Sequence, residues 1–192
     1  MSRRAPGSGS LRIIGGQWRR RVLRFDAALA IRPTPDRVRE TLFNWLAPVI
    51  DGARCLDQFA GTGALGLEAL SRGAEHAQFV DRSPEALAAI RSHAEVLGAE
   101  QRIATVCADA AAYLRGGGPR FDLVFVDPPY ADRLITGLLP ALAERLSPGA
   151  LVYCEFDRDG EPQPGEDWTW HRRARAGRVS YGLIQRATGD SA

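Results

Sequence analysis

The sequence of 192 residues contains no lysine, so all 25 of its basic side chains are arginines. It has only three cysteines, Cys55, Cys107 and Cys154, which form no CxxC pair. This spacing excludes the common zinc-binding patterns and a disulfide framework, and we expect no bound metal. Because each cysteine lies in an apolar segment, the sequence predicts three buried, reduced thiols in a cytoplasmic protein.

Long apolar runs are also absent. No stretch approaches the roughly 18 apolar residues that a membrane-spanning helix needs, so we expect no membrane partner. Residues 1–10 (MSRRAPGSGS) carry charge but lack the apolar core of a signal peptide, and we predict that they form a disordered tail. The remaining length fits one domain, and nothing in it requires more than a monomer.

Acidic residues are scarce near the N-terminus. Residues 1–50 contain ten Arg and three acids, a net charge of +7, whereas the other 142 residues contain fifteen Arg and twenty acids, a net charge of −5. A basic segment on a mildly acidic body indicates an anionic partner such as nucleic acid. An arginine-rich surface in contact with water is an equally good explanation of the charge alone.

The basic segment is predicted to form an extension over residues 11–50. Residues 11–25 resemble two short strands around a Gly15-Gly16 turn, which indicates a β-hairpin. A helix follows, with Thr34 as its N-cap and Pro35 at its first position. Its apolar residues recur at helical spacing and predict a core face formed by Val38, Leu42, Trp45, Leu46 and Val49.

Strands and helices alternate in the predicted second part, residues 51–188. We predict strands at 53–59, 77–81, 102–108, 121–127 and 150–156, helices at 63–72, 84–97, 110–115 and 132–146, and a final hairpin of strands at 168–176 and 178–186. Apolar strands separated by helices indicate a parallel sheet that is covered on both faces. The predicted fold class is α/β: a doubly wound, mostly parallel, seven-strand, Rossmann-like sheet with an N-terminal hairpin and helix extension.

Polar residues follow the strands at the edge where such sheets bind ligands. Gly61-Thr62-Gly63 allows a tight turn and a close approach of a ligand to the backbone, and the preceding strand carries Asp57. Asp81 ends the second strand, and Asp109 follows the third. The run 61–66 formally matches the GxGxxG pattern of nicotinamide dinucleotide sites, but Asp57 would repel a pyrophosphate. A carboxylate there suits the ammonium and sulfonium of S-adenosylmethionine, which is our preferred cofactor.

The fourth strand ends in Asp127-Pro128-Pro129-Tyr130. An exocyclic amine on a base needs acceptors for its N–H groups, and the Asp127 carboxylate and the Pro128 carbonyl can supply them. The two prolines fix the backbone, and Tyr130 offers a flat face for an extruded base. The alternative is a rigid turn with a half-buried tyrosine. C5-pyrimidine methylation is disfavoured because no cysteine lies in such a strand-end loop with proline.

Five segments in this order resemble the RsmD family of 16S rRNA guanine-N2 methyltransferases, which act on guanine 966: LRIIGGQWRRRVL, RPTPDRVRETLFNWLAPVI, CLDQFAGTGALGLEALSRGA, FVDPPY and YGLIQR. The resemblance covers nearly the whole chain. It implies a class I methyltransferase fold, S-adenosylmethionine as donor with S-adenosylhomocysteine as product, and 16S rRNA of the small ribosomal subunit or its assembly intermediate as partner.

The resemblance also implies the roles of individual residues. The reactive residues would be Asp127, Pro128, Pro129 and Tyr130. Those that would hold the donor are Thr34, Asn44, Asp57, Phe59, Gly61, Thr62, Gly63, Asp81, Arg82, Asp109 and Ala110. Those that would contact RNA are Arg19, Arg20, Arg21, Arg24, Arg32 and Arg37. Adenine-N6 methylation of DNA, methylation of a protein glutamine, and a non-enzymatic RNA-binding role are the competing hypotheses.

Overall fold

The structure is a computed structural model that describes residues 8–26, 34–128, 134–157, 165–177 and 179–187. Its strands are β1 (Ser8–Arg12), β2 (Val22–Asp26), β3 (Arg54–Gln58), β4 (His76–Asp81), β5 (Ile103–Cys107), β6 (Phe121–Val126), β7 (Leu146–Asp157), β8 (Trp168–Ala176) and β9 (Val179–Arg186). Its helices are α1 (Asp36–Leu46), α2 (Ala64–Ser71), α3 (Pro84–Leu97), α4 (Ala110–Arg115) and α5 (Leu134–Ala143). No helix in these ranges is long and apolar enough to cross a membrane.

The predicted seven-strand sheet is confirmed, with strand order β5-β4-β3-β6-β7-β9-β8. Strands β3 to β7 are parallel, while β9 pairs antiparallel with both β7 and β8. The chain moves outward from β3 through β4 to β5 and then returns to add β6 on the other side of β3. The carboxyl ends of β3 and β6 therefore flank the switch point at which doubly wound sheets bind ligands.

Local signals predicted several boundaries well. Helix α3 begins as expected, because the Ser83 hydroxyl accepts a hydrogen bond from the Ala86 N–H at 3.1 Å and Pro84 is the first helical residue. It ends at Gly98, which has a positive φ of 64°. Helix α4 and strand β8 have the predicted bounds. Two of the cysteines are buried as expected, but Cys107 is exposed, because β5 is the edge strand of the sheet.

The N-terminal hairpin is present, but Gly15 and Gly16 do not form a tight two-residue turn in it. Strand β1 begins at Ser8, inside the predicted tail, and a nine-residue connection, 13–21, leads to β2. The two glycines instead lie against the end of α2. The Gly15 carbonyl accepts a hydrogen bond from the Ser71 hydroxyl at 2.6 Å, and a Cβ at Gly16 would overlap the Ser71 carbonyl. Close docking, rather than hairpin closure, requires the glycines here.

Helix α1 covers the face of the sheet near β6 and β9. Val38, Leu42 and Leu46 are buried as predicted, and Phe43, which the apolar pattern missed, lies 5.9 Å from the Phe125 ring. Val49 is 48% exposed because the helix ends before it, so its predicted place in the core is wrong.

The predicted N-cap role of Thr34 is also wrong. Pro35 occupies the cap position of α1 without a side-chain hydrogen bond, and Asp36 is the first helical residue. The Thr34 hydroxyl instead bonds to a distant carboxylate at the end of β6.

Candidate active site

Three acids lie at the carboxyl ends of adjacent strands. Asp57 is the last residue but one of β3, before Gln58. Asp81 is the last residue of β4, and Asp127 directly follows β6. Asp57 is 2% exposed, and its Oδ2 accepts a hydrogen bond from the Gly66 N–H at 2.9 Å. Burial raises the pKa of Asp57 well above its usual value, and repulsion from Asp127 and Asp81 raises it further. This edge of the sheet therefore concentrates negative charge and favours a cationic ligand.

The predicted glycine loop joins β3 to α2 through left-handed backbone. Gly61 and Gly63 have φ values of 51° and 75°, and Phe59, which has a side chain, has a φ of 59°. A bulky residue adopts this conformation only where its surroundings impose it, and such strain is common in ligand-binding turns. Asp81 holds the loop, because its Oδ2 accepts the Gly61 N–H at 2.8 Å. Thr62 is buried within the turn.

Asp109 already has two protein partners. Its Oδ1 accepts the Ala112 N–H at 3.0 Å, which caps α4, and its Oδ2 pairs with the exposed Arg82. These bonds lower the pKa of Asp109. Below this pair, the Gln58 Nε2 group points to the Ala110 carbonyl at 3.5 Å, while its Oε1 is buried without a hydrogen-bond partner in the described structure. The donor-binding roles of Asp109 and Arg82 remain predictions.

Asp127 lies under the start of α1. Burial raises the pKa of Asp127 to about 6, and the hydrogen bond from the Thr34 hydroxyl, 3.0 Å from Oδ2, opposes this rise. Pro128 is buried beside it. Pro129 and Tyr130 lie outside the described residues, so their predicted roles are not examined by the structure.

A buried acid, which sequence reasoning missed, lies next to Asp127. Glu155 is in β7, the strand that pairs with β6, and it is 9% exposed. Its Oε1 accepts a hydrogen bond from the Tyr153 hydroxyl at 2.6 Å. Burial raises the pKa of Glu155 to about 7, and the nearby Asp127 adds to the rise. The only signal in the sequence was a lone acid within the apolar run ALVYCEF.

A buried ion pair joins the N-terminal extension to helix α2. Arg39 of α1 is 1% exposed, and its guanidinium lies 3.5 Å from the fully buried carboxylate of Glu68 in α2. Arg39 Nε donates to the Thr34 carbonyl at 3.2 Å, while the Glu68 carboxylate accepts the N–H groups of Ile14 and Gly15, both at 2.8 Å. These bonds hold the hairpin and the Thr34 segment in fixed positions relative to α2.

The remaining predicted site residues lie on the outside. Arg37 and Asn44 are exposed on the side of α1 opposite its buried face, and the donor-binding role of Asn44 remains a prediction. The exposed arginines of the hairpin form a basic surface, which comprises Arg19, Arg20, Arg21 and Arg24. Arg32 lies outside the described residues. No cluster of three or more potential metal ligands occurs in the described ranges.

Comparisons with known proteins agree with this architecture. A family profile described as "Conserved hypothetical protein 95" matches residues 11–185. The chain is 45% identical over 190 residues to ribosomal RNA small subunit methyltransferase D of Escherichia coli, covering 96% of this chain and 95% of that protein. The same-named protein of Haemophilus influenzae is 39% identical over 182 residues, with coverages of 92% and 94%.

A solved structure of a candidate methyltransferase from Escherichia coli has a TM-score of 0.84 and 42% identity, and the match covers 93% of this chain and 98% of that one. The shared fold is the α/β methyltransferase fold that the alternation of strands and helices predicted. The chain therefore belongs to the RsmD family, whose profile spans both the basic extension and the sheet.

Proposed function

We propose that this protein transfers a methyl group from S-adenosylmethionine to the N2 amine of a guanine in 16S rRNA, in the small ribosomal subunit or its assembly intermediate. The names of the similar proteins from Escherichia coli and Haemophilus influenzae support rRNA as the substrate class. The single observation that carries the chemistry is Asp127, a half-buried carboxylate at the switch point, held in place by Thr34 and adjacent to a cation-favouring group of acids.

The donor fits the strand-end acids because it carries two positive charges and no phosphate. Bound there, it supplies an activated methyl: the amine lone pair forms the N–C bond, the C–S electrons remain on sulfur, and the amine loses one proton to water. We assign the Asp57 carboxylate to the ammonium group, because burial and repulsion leave that carboxylate in need of a cation. We propose that Asp81 accepts hydrogen bonds from the ribose hydroxyls of the donor. The glycine loop 61–63 allows the donor to approach the backbone closely.

The amine of guanine is a weak nucleophile because its lone pair is delocalised into the ring. Asp127 counters this by accepting an N–H, which stabilises the positive charge that develops on nitrogen. The Thr34 hydroxyl engages Oδ2, so we assign Oδ1 to the substrate. We further assign the Pro128 carbonyl to the second N–H, and the face of Tyr130 to stacking on the base.

The basic surface of the hairpin supports a polyanionic substrate. Its four arginines are exposed on an extension that the Arg39–Glu68 pair fixes to the catalytic domain. Phosphate contacts of this kind position a nucleic acid without reading its sequence. Base selection must therefore come from the pocket around Asp127.

A methyl-transfer assay tests the proposal. The enzyme, labelled donor and small ribosomal subunits from a strain that lacks this gene should yield label in 16S rRNA, and mass mapping should find it as N2-methylguanosine. Duplex DNA should take up none, and the label should resist trypsin. Label in DNA adenine or in protein would instead support the competing reactions.

Matched variants examine the role of Asp127 in the same assay. We expect Asp127→Asn to lower turnover by about 100-fold or more while donor affinity stays within a few-fold. The control is Asp122→Asn, at the opposite end of β6, where the carboxylate only accepts the Arg54 N–H at 2.8 Å. Turnover by Asp127→Asn equal to that of the control would remove Asp127 from the chemistry.

A further inference from the structure

Glu155 faces the same side of the sheet as Asp127. Residues alternate between faces along a strand, so Leu123, Phe125 and Asp127 of β6 share the face that carries Tyr153 and Glu155 of β7. The register pairs Val126 with Cys154, which makes Asp127 and Glu155 the next residues along the two strands. Two carboxyl groups therefore lie side by side below the start of α1.

The charge of Glu155 has little compensation within the protein. None of the ion pairs in the described ranges includes it, and its Oε1 receives a neutral hydroxyl, that of Tyr153. A buried carboxylate without a cation is costly unless it accepts further hydrogen bonds. A ligand that presents two adjacent hydrogen-bond donors to Glu155 and Asp127 would supply these hydrogen bonds.

Guanine has such a pair. Its Watson–Crick edge presents the N1–H and one N2–H side by side, whereas adenine presents an acceptor at N1. We propose that Glu155 is a specificity-determining residue that accepts the N1–H of the target guanine while Asp127 accepts the adjacent N2–H. This inference rests on the proposed guanine-N2 reaction and assigns base selection to a residue outside the Asp-Pro-Pro-Tyr motif. A site built to hydrogen-bond a donor rejects analogues that lack it.

The analogue 2-aminopurine provides the test, because it keeps the 2-amine but its N1 bears no hydrogen. Small subunits are reconstituted with guanine or 2-aminopurine at the mapped target position, and kcat/KM for methyl transfer is measured. We expect the wild-type protein to prefer guanine by about 10-fold to 100-fold. A wild-type ratio near one overturns the inference, whereas no methylation of the guanine substrate overturns the proposed function instead.

Two variants separate base recognition from a structural role. In Glu155→Gln the amide can donate to the N1 of 2-aminopurine while its oxygen accepts the Tyr153 O–H. In the flipped orientation its oxygen accepts the guanine N1–H, and its NH2 group donates to the Tyr153 hydroxyl oxygen instead. We therefore expect the preference for guanine to fall to about threefold or less. Tyr153→Phe removes the internal hydrogen bond but leaves the carboxylate, so its preference should match the wild type. An undiminished preference in Glu155→Gln, or an equal loss in Tyr153→Phe, overturns the assignment.

Discussion

The hydroxyl of Thr34 lies 3.0 Å from Oδ2 of Asp127, although 93 residues separate them in the chain. The bond joins the N-terminal extension to the end of β6. Arg39 fixes the Thr34 backbone from the other side by donating to its carbonyl at 3.2 Å. The extension therefore orients the carboxylate that we assign to the substrate amine, in addition to carrying the arginines that we assign to RNA.

Replacing Thr34 examines this relationship directly. Thr34→Val removes the donor, and we expect kcat to fall by about 10-fold to 100-fold, since a hydrogen bond to a charged group is lost. Wild-type kcat should rise with pH through about 6 as Asp127 ionises. Because the Thr34 bond lowers the pKa of Asp127, this rise should move to higher pH in Thr34→Val.

Two controls accompany that variant. Thr34→Ser keeps the hydroxyl and should retain most activity. Thr41→Val, in the same helix region, removes only a bond to the Arg37 carbonyl and should behave as the wild type. Weaker donor binding with an unchanged pH profile would mean that Thr34 contacts the donor, as the family resemblance implied, rather than positioning Asp127.

The ionised Asp127 carboxylate should also lower the stability of the protein. The pKa of Asp127 is raised to about 6, whereas an aspartate in an unfolded chain titrates near 3.9. Below pH 4 the group is protonated in both states and contributes nothing. Above pH 6 it is ionised in both states, and the folded state bears the cost of a partly desolvated charge.

Asp127→Asn should therefore be more stable than the wild type at neutral pH, by about 2 kcal/mol, because the amide is neutral and still accepts from Thr34. The gain should grow between pH 4 and 6 and then level off. The free energies of urea unfolding of the two proteins at pH 5 and 7.5 measure this gain. A stability gain that is independent of pH would contradict the assigned ionisation of Asp127. Asp127 and Glu155 titrate as a pair, so the measured pH range describes both carboxyl groups.

Most of the fold was predictable because its signals are local. A Ser-Pro start and a glycine end defined α3, and apolar runs bounded by turns defined the strands. The residues that were missed act over long distances. Arg39 is charged, so apolar periodicity does not predict its burial. It is nevertheless almost completely buried, because it pairs with Glu68. Glu155 gained significance only when the register placed it beside Asp127.

The hairpin arginines should contribute to the salt dependence of RNA binding. Each phosphate contact adds roughly 0.7 to 0.9 to the slope of log affinity against log salt concentration. The double variant Arg19→Gln, Arg21→Gln should reduce the slope for small-subunit binding by about 1.5. The control, Arg115→Gln with Arg120→Gln, removes two exposed charges outside the hairpin, at the end of α4 and directly before β6, and should leave the slope unchanged. Equal slopes for the two double variants would exclude the hairpin as a phosphate contact.

The close docking of the hairpin on α2 should depend on Gly16. Gly16 and Gly52 have similar positive φ values, 75° and 70°, but a Cβ at Gly16 would overlap the Ser71 carbonyl, whereas one at Gly52 would meet no atom within 4 Å. Alanine at either position incurs left-handed strain of about 1 to 2 kcal/mol, so the clash is the only difference between them.

We expect Gly16→Ala to cost about 1 to 3 kcal/mol more than Gly52→Ala in the free energy of urea unfolding. The displacement of the hairpin backbone should also disturb the 2.8 Å hydrogen bond from the Gln17 N–H to the Ser71 carbonyl. Because Arg39 donates a hydrogen bond to the hairpin, the displacement should move the Thr34 segment as well. Turnover should therefore fall in Gly16→Ala but not in Gly52→Ala. If the two variants lose equal stability and keep equal turnover, the hairpin is not rigidly joined to α2, and its arginines would bind RNA independently of the catalytic face.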